Sequence, residues 1–158
     1  MPRSDLPLLL IGWASSTSPD RKLRGRTRLM KLVFLAQQET PQDVEALTGS
    51  PAPYNFGRHL YGPFSQGLLR DVDILVGRGL IRQESKPLDS GGTAVRWEYE
   101  ITPGGNERIA MLAGAGQYRQ LQALVVRFAQ FSTEELLRYV YTRYVRDSTR
   151  LLDRAIPA

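Results

Sequence analysis

The segment HLYGPFSQGLLRDVDILVGRGLI, residues 59–81, runs from a short aromatic stretch through a turn into one amphipathic helix. Ser65 stands where a hydroxyl oxygen can accept a backbone N–H at the start of that helix, which is predicted over residues 66–78. Gly79 follows the last apolar position, where a left-handed residue commonly ends a helix. The segment therefore predicts a strand, a capped helix and a second strand in direct succession.

Two strands are predicted after Gly79, over residues 80–84 and 95–101. In the second strand, charged residues alternate with the apolar residues Val95, Trp97, Tyr99 and Ile101. An apolar period of two is typical of a strand with one buried face. The polar segment KPLDSGG, residues 86–92, separates the two strands, so the pattern predicts a β-hairpin with a flexible tip.

Further helices are predicted from apolar spacing and from end signals. Pro41 ends the pattern of the second helix, Thr102 and Pro103 open the helix after the hairpin, and Ser132 and Glu135 have the spacing of a capping box. A proline-containing linker and a short strand over residues 54–60 precede Ser65. The predicted helices cover residues 6–14, 26–39, 102–112, 117–130 and 133–145.

This order of elements predicts an α+β, mostly helical protein. Its core would be a winged helix-turn-helix with a small β-hairpin wing, followed by a C-terminal helical extension. We expect the winged-helix domain over residues 1–113 and the extension over residues 114–158. In this arrangement the helix over residues 66–78 would be the recognition helix.

The composition narrows the possible functions. With 158 residues, 42% of them hydrophobic and 23% charged, the chain is expected to be one globular unit without a membrane span, located in the cytoplasm. Its longest N-terminal apolar run, LPLLLIGWA, is too short to cross a bilayer. The absence of cysteine excludes disulfides and thiolate metal sites. A net charge of +5 and a pI near 9.8 favour anionic partners.

No catalytic or cofactor site is indicated by the sequence. His59 is the only histidine and has no acidic cluster beside it, so a structural role is expected. The glycine pairs of GAG and DSGG lack the strand-loop-helix context of a phosphate loop. The carboxylates are scattered among basic residues. We therefore expect no metal, no cofactor and no enzymatic activity.

A basic cluster precedes and enters the second predicted helix. Positive charge at a helix start is opposed by the helix dipole, so these residues favour an anionic partner such as phosphate. The alternative is a solvated surface whose cations pair with nearby carboxylates such as Asp20. The six predicted phosphate-contacting residues are Arg21, Lys22, Arg24, Arg26, Arg28 and Lys31.

The predicted recognition helix carries mixed charge. Its outward residues are expected to be Gln66, Arg70, Asp71, Asp73, Ile74 and Arg78. Gln66 and Arg70 could read adenine and guanine edges, whereas the two aspartates would face phosphates at a cost. Arg82, Lys86 and Arg96 place positive charge on the wing, where it could contact DNA or serve solubility alone. A helix that only packs on the core is the alternative.

The last two predicted helices each carry an apolar stripe. Such stripes pack on their own domain or join two copies of a chain, and we expect a homodimer that spaces two DNA-binding halves. The predicted interface residues are Tyr118, Leu121, Val125, Phe128, Tyr141 and Tyr144.

Several segments together resemble the YwgA-type winged-helix proteins. They are GRTRLMKLVFLAQ, HLYGPFSQGLLRDVDIL, GRGLI, YEITPGG and ELLRYVYTRY. More distantly, the chain resembles the Panacea domains of antitoxin-like proteins, which also combine a Lys-Leu helix with a Tyr-Gly-Pro turn. The resemblance implies a winged-helix fold, and the Panacea domains imply binding to protein partners as well as to DNA.

Two functional hypotheses follow from these patterns. The first is a double-stranded-DNA-binding transcriptional regulator, which is favoured by the element order, the basic cluster and the charged wing. The second is a protein-binding adaptor or antitoxin-like module on the same scaffold, which is favoured by the mixed charge of the recognition helix. RNA binding through the basic cluster is a third possibility.

Overall fold

The helices and strands of the protein lie within residues 2–59, 62–88 and 94–145, which are the residues that a computed structural model describes. In chain order they are α1 Asp5–Ser15, β1 Leu23–Arg24, α2 Arg26–Glu39, α3 Pro41–Thr48, β2 Gly57–His59, β3 Gly62–Phe64, α4 Gln66–Gly77, β4 Ile81–Pro87, β5 Val95–Ile101, α5 Pro103–Ala113, α6 Arg119–Ala129 and α7 Thr133–Val140. A π-helical turn, Tyr141–Val145, continues α7. The protein is therefore mixed α+β and mostly helical, as predicted.

Three antiparallel strands form the larger sheet, in the order β1-β5-β4. Strand β4 pairs with β5 from Ile81 opposite Ile101 to Pro87 opposite Val95, so the predicted hairpin is confirmed and its first strand is longer than expected. Strand β1 pairs Leu23 with Tyr99 and thereby places the start of α2 beside the far end of the hairpin. The tip itself, residues 89–93, lies outside the described residues.

The predicted starts of α4, α5 and α7 are confirmed, and so is the predicted end of α4. Ser65 accepts a hydrogen bond from the Leu68 amide at 3.2 Å, and Gly79 after α4 has a positive φ of 73°. Thr102 accepts from the Gly105 amide at 3.0 Å. Ser132 and Glu135 satisfy each other's backbone N–H groups in a capping box. These local bonds account for the accuracy of the predicted helix starts.

Three segments differ from their predicted structure. Pro41 follows the end of the second helix as predicted, and it also occupies the first turn of α3, a helix that was not predicted; its fixed φ is compatible with a helix there and its missing N–H is not needed. Gly62 and Pro63, predicted to shape a turn, lie in β3, Gly62–Phe64, which pairs with β2. Tyr54, predicted at the start of a strand, is instead buried beside Gln37, which bonds both its backbone N–H and its carbonyl.

The hydrophobic core is built around α1. Leu6, Leu8, Leu9, Leu10 and Ile11 are completely buried, so this helix is apolar on all sides and lies among the others. One cluster of buried side chains extends from α1 through α2, α4 and β5 into α6 and α7. Helix α6 packs on α1, and α7 packs on α2. The predicted boundary at residue 113 therefore does not separate two cores.

Most of the predicted dimer interface lies inside this core. Leu121, Val125 and Phe128 are 0% exposed and Tyr118 is 6% exposed. The interface prediction is wrong for these four side chains, because the apolar stripe of α6 is covered by the chain's own α1 and α2. Tyr144 is half-buried and donates a hydrogen bond to the Glu39 carboxylate at 2.7 Å. Of the six predicted interface residues, Tyr141 is the one that stays exposed.

Within the described residues, no helix has both the length and the apolar character that crossing a bilayer requires.

Candidate nucleic-acid interface

Helix α4 presents one face to the core and the other to solvent. Leu68, Val72 and Leu75 are completely buried and fix the helix against the other elements. On the opposite face Arg70, Ile74 and Arg78 are exposed, and their spacing of four residues places them in one stripe. Gln66 and Asp73 are exposed as well, as predicted.

Asp71 was predicted to face outward, but it is only 7% exposed. Its carboxylate accepts hydrogen bonds from the Tyr54 hydroxyl at 2.7 Å and from Arg3 Nε at 2.8 Å. Burial, together with this bond to Asp71, raises the pKa of Tyr54. The outward prediction for Asp71 is therefore wrong, because long-range partners stabilise its charge in the interior. The exposed face of α4 keeps Asp73 as its single predicted anion.

Arg70 on α4 and Arg78, the residue that follows α4, are free to bind a ligand. Neither Arg70 nor Arg78 forms an ion pair or a side-chain hydrogen bond with any residue that the structure describes. Arg70 was predicted as a nucleic-acid contact, whereas Arg78 was named only as an outward residue. Its position two turns after Arg70 is the sequence signal that would have added it.

The cations of the hairpin all have carboxylate neighbours. Arg82 lies 3.3 Å from Glu100, and Lys86 lies 3.2 Å from Glu84. Arg96 lies 3.0 Å from Glu98. The pairs of Arg82 and Lys86 are largely exposed, and pairs of that kind contribute at most about 1 kcal/mol, so phosphate can compete for these cations.

Glu98 lies beneath a group of cations on the outer face of the sheet. The alternating pattern of β5 predicted that the Glu98 side chain is exposed, but it is only 6% exposed. Three cations cover its carboxylate: Arg96 at 3.0 Å, Arg24 at 3.4 Å and Lys22 at 3.9 Å. Burial acts to raise the pKa of Glu98, but the bond from Arg96 and the nearby cations lower it overall. Arg24 also pairs with Asp20. For Lys22 and Arg24, the alternative that the basic residues pair with nearby carboxylates is therefore correct.

Arg26 and Arg28 have no carboxylate partner among the described residues. The Arg26 guanidinium lies 3.9 Å from the centre of the Trp97 ring, and its Nε is buried without an acceptor. Arg28 donates to the Phe131 carbonyl at 2.6 Å and to the Thr133 hydroxyl at 3.3 Å, and burial lowers its pKa. Both arginines thus join the start of α2 to neighbouring elements, while Arg21 is exposed.

Lys31 was predicted to contact phosphate, but it is only 2% exposed. Its ammonium donates to the Pro63 carbonyl at 3.5 Å, and burial lowers its pKa to about 8. The prediction is wrong because Lys31 falls on the inner face of α2, where it links that helix to β3. A lysine and a Gly-Pro segment that are 32 residues apart in the sequence are thereby brought into contact.

The buried state of Lys31 makes stability depend on pH. Its folded pKa of about 8 lies below its ordinary value of 10.5, so the unfolded chain binds more protons between these values. We expect the free energy of unfolding to rise by about 2 kcal/mol between about pH 7.5 and 9.5 through this group. Urea titrations of the wild type and of Lys31→Met at several pH values measure it. The prediction fails if both proteins show the same pH dependence.

Nine of the eleven predicted contact residues fall into three groups; of the other two, Arg21 is exposed outside them and Lys31 is buried. Gln66 and Arg70 lie on α4; Arg82 and Lys86 lie on exposed edges of the hairpin; and the start of α2 gathers Lys22, Arg24, Arg26, Arg28 and Arg96. The prediction for the His59 side chain lies outside what the structure describes. Among the described residues, no group of three or more histidines, cysteines and acids could hold a metal ion.

No protein-family model matches the chain, and no curated protein or solved structure matches it either.

Proposed function

We propose that this chain is a winged-helix protein that binds double-stranded DNA and acts as a transcription regulator. The order α1, β1, α2, α4, β4, β5 and the sheet order β1-β5-β4 support that arrangement, with α3 and the β2–β3 pair inserted before α4. Helix α4 is then the recognition helix, and the β4–β5 hairpin is the wing.

The stripe of Arg70, Ile74 and Arg78 is the observation that carries this proposal. From Arg70 to Arg78 the stripe extends about 12 Å along the helix axis, at 1.5 Å per residue. An arginine can bond the guanine edge in the major groove, and an aliphatic side chain can contact the methyl group of thymine. Because both arginines lack partners among the described residues, binding DNA breaks no ion pair on α4.

The electrostatics of the whole chain support the same ligand. The net charge of +5 attracts a polyanion, and the wing cations Arg82 and Lys86 lie in exposed pairs that phosphate can replace. Burial of Asp71 removes from the interface one of the two carboxylates that argued against DNA contact.

Fluorescence anisotropy with a labelled random duplex of about 20 base pairs tests the proposal. At about 50 mM salt we expect saturable binding with a dissociation constant in the micromolar range, which is usual for non-specific duplex binding. Single-stranded DNA and duplex RNA of the same length are the comparison ligands, and both should bind more weakly. Absence of duplex binding at tens of micromolar protein would contradict the proposal.

The adaptor hypothesis is kept because of one feature of the same surface. Ile74 is 50% exposed in the middle of α4, and an exposed aliphatic between two arginines also suits an acidic protein partner. Two results together would favour this second function. The chain would bind no duplex, and a purified protein partner would bind the wild type but not Ile74→Asp.

A further inference from the structure

A groove of about 600 Å³ lies between the start of α2, the far end of the β4–β5 hairpin and the start of α7. It is separate from the exposed stripe of α4. Its lining residues include Arg24, Arg26, Arg28, Leu88, Val95 and Arg96. We call it the arginine groove.

The arginine groove has an excess of positive charge. Four of its lining residues are arginines, and none of its described lining residues is acidic. The carboxylates that approach its rim, Asp20 and Glu98, are already shared among Lys22, Arg24 and Arg96. Since Arg26 and Arg28 have no carboxylate of their own in the described chain, the cluster has more cations than anions, and a bound anion would relieve their repulsion.

Backbone geometry at the groove favours an anion as well. Helix α2 begins after Gly25, which has no side chain to cap the first turn, and no acidic residue stands in that turn. The first N–H groups of a helix have no partner within the helix, and the helix dipole adds positive potential there. The Arg26 guanidinium adds positive charge at the same place, where it lies 3.9 Å from the centre of the Trp97 ring.

The hairpin wall of the groove is apolar. Leu88 and Val95 both line it and are 60% and 43% exposed. Leu88 and Ala94 are joined by a backbone hydrogen bond, which holds the two sides of the hairpin together next to this wall. The groove thus places an apolar surface beside an arginine cluster, an arrangement that suits an anion with a ring or other apolar body.

We propose that the arginine groove binds the phosphate group of a nucleotide, with the phosphate at Arg26, Arg28 and Arg96 and the body of the ligand against Leu88 and Val95. Arginine forks and helix N–H groups both bind phosphate oxygens well. The nucleotide can be free or part of a DNA strand, and the proposal holds whether or not α4 reads DNA.

Isothermal titration of the full chain with adenosine monophosphate tests this inference, with adenosine and inorganic phosphate as comparison ligands. We expect one site per chain, at least about tenfold weaker binding of adenosine, and at least about tenfold weaker binding of adenosine monophosphate to Arg26→Gln/Arg96→Gln, because charge-assisted hydrogen bonds are lost. Arg119→Gln, an exposed arginine of α6 outside the groove, is the matched control and should bind as the wild type does.

Because Arg26 packs on the Trp97 ring, the double variant could lose stability. Arg96→Gln alone is therefore the second variant. The Arg96 side chain is 46% exposed in the wild type, so this variant should fold normally. Equal affinity for adenosine and adenosine monophosphate, or unchanged binding by both groove variants, would overturn the proposal. Repeating the titration with saturating duplex identifies the source of the phosphate. If the duplex prevents adenosine monophosphate from binding, the groove holds a phosphate of the DNA strand. If the protein binds both ligands at once, the groove holds a free nucleotide.

Discussion

Replacing Arg70 and Arg78 together by alanine is expected to weaken duplex binding by about 100-fold at low salt, from the loss of two arginine contacts worth about 1–3 kcal/mol each. Both side chains are exposed, Arg70 on α4 and Arg78 directly after it, and neither has a partner in the described chain, so their removal should leave the fold intact. If either contact is to phosphate, the slope of log affinity against log salt should become less steep by about 0.9 for that contact. Anisotropy titrations over a range of salt concentrations measure both quantities.

Arg119→Ala/Arg138→Ala is the control for that experiment, because it removes the same charge from exposed positions on α6 and α7. The control should lose little affinity beyond the general effect of lower net charge. If the two double variants weaken binding equally, α4 is not the contact surface. A site preference that disappears in Arg70→Ala alone would assign base reading to that residue.

The second large effect is a loss of stability when the Phe128 ring is removed. The same variant also tests whether α6 forms a dimer interface. Phe128 is completely buried, with ring centres 4.8 Å from Tyr139 and 5.0 Å from Phe131. Phe128→Ala should lower the free energy of unfolding by about 3–5 kcal/mol, the usual cost of removing a buried ring. Tyr141 is 59% exposed, so Tyr141→Ala should change stability by no more than about 0.5 kcal/mol. Urea unfolding measures both changes.

Light scattering on the same variants separates a core ring from an interface ring. A Phe128→Ala protein that keeps wild-type stability but has a smaller mass would restore the predicted interface on α6. A dimeric wild type that becomes monomeric in Tyr141→Ala would place the contact at the exposed side chain of the π-helical turn instead.

Elements with local signals could be predicted from the sequence. The start of α4 is determined by the Ser65 cap and its end by Gly79, and both signals lie within a few residues of the helix. The caps at Thr102 and Ser132 were predictable for the same reason. Strand β1 has two residues and no apolar period, so it becomes visible only through its pairing with β5.

The candidate site was harder to predict because burial depends on distant partners. Asp71 is stabilised inside by Tyr54 and Arg3. Glu98 is covered by Arg24 of β1 and by Lys22 just before that strand, both far away in sequence. The spacing of apolar and polar residues predicts which face of its own helix or strand a residue lies on, but not which distant residues cover that face. The burial of these two carboxylates changes the charge of the surface that DNA would meet.

Apolar stripes have the same limit. The stripe of α6 is consistent with a domain core or with a second copy of the chain, and spacing alone cannot distinguish the two. The packing of α6 on α1 decides for the core. Lys31 is a charged residue that the sequence placed at the surface. It lies instead on the inner face of α2, where its ammonium donates to the Pro63 carbonyl.

Mapping backbone amide shifts by NMR during titration with duplex DNA tests the central claim most directly, because it locates the bound surface. We expect the largest changes on the exposed stripe of Arg70, Ile74 and Arg78, with smaller changes along β4 and β5. Changes confined to α6 and α7, or none at saturating duplex, would contradict it.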